Sequence, residues 1–175
     1  MSERPVVHLV GCGSRPTGDL PAFAAELRGA GWIPYVVPTP VGGLFLDVGR
    51  AEAASGQDVH GAFDPDAPVG LPQADAVVVA PATYNTVVKL AAGIADTLAL
   101  SVTADAIGGG APVVVVPWTN SRLAGHPVFA PAVETLRAWG VRVVAADQAG
   151  PFPWAAVREA LEEARGALVS GSPRP

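Results

Sequence analysis

Short runs of apolar, mostly β-branched residues alternate with Ala- and Leu-rich stretches along the chain, and this alternation is what most restricts its fold. Such a pattern belongs to a parallel sheet covered by helices. Residues 6–10, 33–37, 76–80, 113–116 and 141–145 read as strands. The runs Ala76-Val77-Val78-Val79-Ala80 and Val113-Val114-Val115-Val116 contain no polar residue, as strands buried on both faces require. Residues 19–30, 44–54, 85–96, 98–106, 129–139 and 154–168 read as helices, with Pro21 early in the first of them. The expected architecture is a single α/β domain over residues 1–169, a doubly wound, Rossmann-like or flavodoxin-like parallel sheet with helices on both faces. Residues 170–175 read as a loose tail. The stretch 56–72 carries Gly61, Pro65, Pro68, Gly70 and Pro72 and reads as a long irregular loop.

Half of the 175 residues are hydrophobic and only 15% are charged, little polar surface for a free monomer, so an oligomer is expected. The net charge of −5 and the absence of any Lys/Arg cluster argue against a nucleic-acid partner. Lys89 is the sole lysine, so a bound phosphate would fall to backbone N–H groups, hydroxyls or an arginine. The lone Cys12 excludes an internal disulfide framework and a cysteine zinc site. No stretch approaches a signal peptide or a membrane span, which makes the cytoplasm the expected address and a membrane partner unexpected.

In a doubly wound sheet, ligands bind beyond the carboxyl ends of the strands. Three polar or flexible segments follow strands here. Gly11-Cys12-Gly13-Ser14-Arg15-Pro16-Thr17 reads either as an anion-binding turn or as a tight strand-to-helix connection. Pro16 stands where a dinucleotide fingerprint needs its third glycine. Cys12 within it is either a thiol activated by a helix N-terminus or a small packing residue. Pro81-Ala82-Thr83-Tyr84-Asn85-Thr86 crowds hydroxyls and an amide into the first turn of a helix, suited to an ordinary N-cap or to a polar ligand. Pro117-Trp118-Thr119-Asn120, followed by His126-Pro127, suits a flat aromatic ligand with polar edges, or a core Trp beside a turn Asn.

Together these segments resemble a known family. Pro81–Thr86 with Lys89-Leu90-Ala91-Ala92-Gly93-Ile94-Ala95-Asp96 is similar to the Pro-Ala-Ser/Thr-Ala-Asn-Thr stretch of the flavin-containing Cys decarboxylases. These include the phosphopantothenoylcysteine decarboxylases and the lantibiotic peptidyl-Cys decarboxylases. Pro117–Asn120 and His126-Pro127 resemble that family's Pro-Ala-Met-Asn segment and downstream His-Pro. Ala54-Ser55-Gly56 with Val59, and residues 136–140, also fit.

The resemblance implies FMN bound between subunits of a homotrimer, with trimers sometimes forming dodecamers. It puts the FMN phosphate near Gly13, Ser14 and Thr39, and the ribityl and ring contacts around Thr83, Tyr84, Asn85, Thr86 and Trp118. Asn120 corresponds to the family's substrate-contacting Asn. Two parts of the family's machinery are missing. Ala67 stands at the position of its catalytic His, with His60 nearby in sequence, and residues 147–152 lack its flap Cys. An alanine cannot shuttle a proton.

The implied function is an FMN-dependent, decarboxylase-like lyase or oxidoreductase acting on a small or peptidyl, Cys-containing substrate. It is not standard phosphopantothenoylcysteine decarboxylation. The alternative is a catalytically silent flavin-binding regulatory or partner protein. A flavin prenyltransferase-like role is disfavoured, because their Arg/Glu-rich pattern has no match here.

Overall fold

β-Branched runs with no polar residue form strands only where both faces find cover, and the computed structural model provides that cover. It describes residues 4–66 and 70–169. Strands β1 (Val6–Val10), β2 (Ile33–Val36), β3 (Ala76–Ala82), β4 (Val113–Pro117) and β5 (Arg142–Val143) form one sheet in the order β2-β1-β3-β4-β5. Every pairing is parallel. Strand β1 pairs with β2 on one side (Val6 opposite Ile33) and with β3 on the other (Val7 opposite Ala76). The order therefore reverses between β1 and β3, as in a flavodoxin-like sheet.

The helices of the described residues are α1 (Leu20–Gly29), α2 (Val48–Ser55), α3 (Tyr84–Ala91), α4 (Leu98–Gly108), α5 (Ser121–Ala124), α6 (Phe129–Ala138) and α7 (Trp154–Val169). Alternate strand residues feed two cores. Val7, Leu9, Val78, Ala80 and Val114 pack with Leu20, Phe23 and Leu27 of α1 and with Val157 and Leu161 of α7. Val10, Val77, Val79 and Val115 pack with Val87 and Leu90 of α3, Leu100 of α4 and Leu136 of α6. All seven residues of β3 are buried, so this strand belongs to both cores.

Several boundaries differ from the sequence reading, each for a local reason. The expected helix 44–54 divides into a 3-10 turn, Gly42–Phe45, and α2, because the Asp47 side chain accepts from Arg50 N at 3.0 Å and starts the helix there. Helix α1 is likewise preceded by a 3-10 turn, Arg15–Asp19. The expected helix 85–96 ends at Ala91, where Gly93 takes a positive φ of 72° that closes the last turn. The last strand is two residues rather than five, since Val141 N still bonds the helical carbonyl of Leu136 at 3.0 Å. Helix α4 runs two residues further than expected, to Gly108. The tail 170–175 and Ala67 lie outside the described residues. Among the described residues, no helix is long and apolar enough to cross a membrane.

Candidate functional site

The carboxyl ends of β1, β2, β3 and β4 open onto one cleft of about 670 Å³ at the point where the strand order reverses. Gly13 and Ser14 enter from β1, and Thr39 from the exit of β2. Thr83, Tyr84, Asn85 and Thr86 come from the start of α3, and Trp118 and Asn120 from the exit of β4. All nine residues singled out from the sequence thus line the same space.

Its floor is backbone held tightly. Thr39 N donates to Gly11 O at 2.9 Å, and Thr39 Oγ1 accepts from Gly42 N at 3.0 Å, which ties the exits of β1 and β2 together. The approach is so close that a Cβ on Gly42 would lie 2.0 Å from Gly11 O. Beside this junction Ser14 Oγ is buried without any hydrogen-bond partner. A buried hydroxyl left unpaired is costly, and it is best explained by a partner the protein itself does not supply.

Helix α3 begins at the cleft with Thr83 in the N-cap position but without a side-chain cap. The threonine hydroxyls are engaged otherwise: Thr83 Oγ1 lies 3.3 Å from Thr86 Oγ1, which lies 3.2 Å from Cys12 Sγ. The first-turn N–H groups, and the positive end of the helix dipole, are therefore not satisfied by a cap. At the other two helix starts lining the cleft the capping bonds are made. Leu100 N donates to Thr97 Oγ1 at 3.2 Å, and Leu123 N to Asn120 Oδ1 at 3.0 Å. Capping engages the side-chain carbonyl of Asn120 and leaves its amide N–H₂ free to donate.

The aromatic walls are braced. Tyr84 stacks on Phe129 at 5.8 Å between ring centroids and meets His126 edge-on at 5.7 Å. Trp118 meets Phe152 edge-on at 5.1 Å, and Phe152 packs on Trp154 at 4.5 Å. The supports Phe129, Phe152 and Trp154 went unrecognised in the sequence, as did Val41, Lys89, Thr97 and Gln148 as lining residues. Lys89 forms an ion pair with Asp96 at 2.7 Å.

Of the two readings of Cys12, the structure supports the packing one, and it also locates His60. The thiol of Cys12 is not activated. The residue is fully buried, and burial pushes its pKa up, with the Thr86 hydrogen bond offsetting only part of that rise. His60 does not line the cleft. Its N–H bonds Val36 O at 3.1 Å, and its ring sits 6.1 Å from that of Tyr35. Among the described lining residues there is no imidazole and no carboxylate. No His, Cys, Asp and Glu cluster that could hold a metal occurs among the described residues.

An orphan hydroxyl, an uncapped helix start, and aromatic and amide groups in one cleft fit a ligand carrying an anionic group and a flat polar-edged ring. Fold and cleft together define a flavodoxin-like α/β domain with a polar and aromatic cleft at its switch point. The family comparison is more specific. Residues 65–170, more than half of the chain, match the model of the Flavoprotein family, and the chain belongs to that family.

The Coenzyme A biosynthesis bifunctional protein CoaBC of Mycolicibacterium smegmatis is 34% identical over 138 residues, covering 73% of this chain and 32% of the relative. The chain spans a third or less of the length of the curated relatives it matches. Among solved structures, the FMN-dependent cysteine decarboxylase TvaF from thioviridamide biosynthesis aligns with a TM-score of 0.77 at 27% identity, covering 93% of this chain and 99% of that one. SpaF, another FMN-dependent cysteine decarboxylase, aligns at 0.73 and 28% identity, covering 92% and 97%.

Proposed function

We propose that this protein binds FMN in the cleft and acts as a decarboxylase-like lyase or oxidoreductase on a small or peptidyl thiol-bearing substrate. The observation that carries this reading is the pairing of the partnerless Ser14 hydroxyl with the uncapped start of α3, both in residues that line a cleft with Trp118. Ser14, Gly13 and Thr39 would hold the phosphate, while Thr83, Tyr84, Asn85 and Thr86 flank the ribityl chain and ring. When bound, the flavin supplies a two-electron acceptor for oxidation of the substrate. Asn120 would donate its amide N–H to a substrate carboxylate, and Trp118 would present a flat apolar surface that excludes water. Two solved structures above 25% identity, TvaF and SpaF, are FMN-dependent cysteine decarboxylases, which supports this choice of cofactor and substrate class.

A second reading, a flavin-binding regulatory or partner protein without turnover, is favoured by one observation. The described lining residues offer no imidazole or carboxylate to move a proton. One experiment separates the two. The purified protein is expected to be yellow with stoichiometric FMN, and a peptide ending in Cys should bleach the flavin band anaerobically and release carbon dioxide. FMN bound without bleaching would select the silent reading. A folded sample that binds no FMN at micromolar concentration would remove both. Assembly into a homotrimer, or a dodecamer of trimers, is part of the same proposal, and it is supported by the exposed Val41, which lines the cleft, and by the exposed Leu44, Phe45 and Val48 that follow it in sequence.

A further inference from the structure

Among the described residues, three helix starts line the cleft, at Thr83, Thr97 and Asn120, and the backbone of each is extended as a side-chain cap requires. Asn120 takes φ −68° and ψ 160°, Thr97 takes φ −134° and ψ 159°, and both side chains cap. Thr83 takes φ −72° and ψ 165°, almost the conformation of Asn120, yet its hydroxyl makes no cap. Backbone geometry therefore does not explain the open start of α3. A competitor for the hydroxyl does. Thr83 Oγ1 lies 3.3 Å from Thr86 Oγ1, which in turn lies 3.2 Å from Cys12 Sγ. Thr86 is only 6% exposed and Cys12 is fully buried, so this chain is held away from competing water.

The sulfur is the fixed end of the chain. Cys12 N donates to Pro81 O at 3.2 Å, and Cys12 O accepts from Ser14 N at 2.7 Å and from the Thr17 hydroxyl. Burial pushes the thiol pKa up, and Thr86 and then Thr83 pull against it, so both threonines act on this sulfur. We propose that Cys12 is a positioning residue of the cleft. Through Thr86 it holds the Thr83 hydroxyl away from the start of α3, and so keeps the first-turn N–H groups open to an anionic ligand. The role goes beyond packing, and it rests on the reading of the cleft as an FMN site. Without the sulfur, the Thr83 hydroxyl is released to accept from Asn85 N or Thr86 N, as Thr97 accepts from Leu100 N.

The test reads two quantities on the full chain: amide hydrogen exchange of Asn85 and Thr86 in the flavin-free protein, by NMR, and FMN affinity, by calorimetry. Cys12→Ala is expected to slow exchange at one of these amides as a cap forms. It should also weaken FMN about tenfold, the worth of one hydrogen bond to a charged group. In a Thr83→Ala background no cap can form, so the same Cys12→Ala change should alter FMN affinity by less than about twofold. A cysteine that only packs would cost the same in both backgrounds. Thr86→Val cuts the chain one step later and should slow exchange in the same way, which keeps the test open if Cys12→Ala does not fold. Unchanged exchange in the folded variants, unchanged FMN affinity in Cys12→Ala, or equal losses in both backgrounds would overturn the proposal. Wild-type protein that binds no FMN would remove the function proposed above, and the exchange measurement would still decide whether Cys12 keeps the cap from forming.

Discussion

Ser14 and Cys12 sit two residues apart and illustrate opposite fates for a buried polar atom. The Ser14 hydroxyl has no partner, so removing it should relieve the free protein while harming ligand binding. Ser14→Ala is expected to leave the apoprotein as stable or more stable by up to about 1 kcal/mol, and to weaken FMN about 10- to 100-fold, the worth of a hydrogen bond to a charged group. Paired calorimetric and chemical-unfolding measurements on the same variant check both signs. The Cys12 thiol, by contrast, is fully buried, hydrogen-bonded to Thr86 and held protonated by burial. It should react with an aromatic disulfide reagent only after unfolding, which is seen by comparing the colour yield in buffer and in guanidinium. The strand-exit position of Cys12 was legible in the sequence. Its role as a packing residue was one of two readings there, and the choice between them is made by the start of α3, where Thr86 meets the thiol.

At the scale of elements, the apolar runs of β3 and β4 were plain to read because both faces of each strand are covered. Strand β5 was overextended because its apolar residues look the same whether they pair or merely pass the sheet edge, and only Arg142 and Val143 enter the ladder. In the site, glycines, hydroxyls and aromatics at strand exits announced themselves. Lys89 and Gln148 did not, since a long side chain inside a helix or a turn carries no local mark of what it faces. Helix starts were the most ambiguous signal. Thr83 and Thr97 both precede a helix, yet only Thr97 caps one. Thr97→Ala should therefore cost about 1 kcal/mol of stability, measured by denaturant unfolding.

For the molecule as a whole, the neutral, buried His8 makes stability depend on pH. An unfolded histidine titrates near 6.5 and the folded one lower, so the unfolded chain binds more protons between those values. The contribution is fully present above about pH 6.5 and is lost as pH falls through the folded value. The melting temperature is expected to fall on acidification, with a shallower slope in His8→Leu over the same range. The exposed apolar residues Val41, Leu44, Phe45 and Val48 have an equally global consequence. Leu44 is 83% exposed, and Leu44→Glu should shift the proposed trimer toward monomers in light scattering without changing the circular dichroism of the dilute protein.

The cleft draws on four strand exits spread from Gly13 to Asn120, and the exposed residues Gly61, Ala62 and Phe63 fall between the second exit and the third. Because β1 lies between β2 and β3, the sheet's hydrogen bonding crosses that point in the chain: β1 and β2 come before it, while β3, β4 and β5 come after it. A single cut there yields two pieces, each with half of the cleft and one raw sheet edge, matched to each other by the β1–β3 register. The protein is thus already divisible into complementary halves, and its own cleft is rebuilt only when they rejoin.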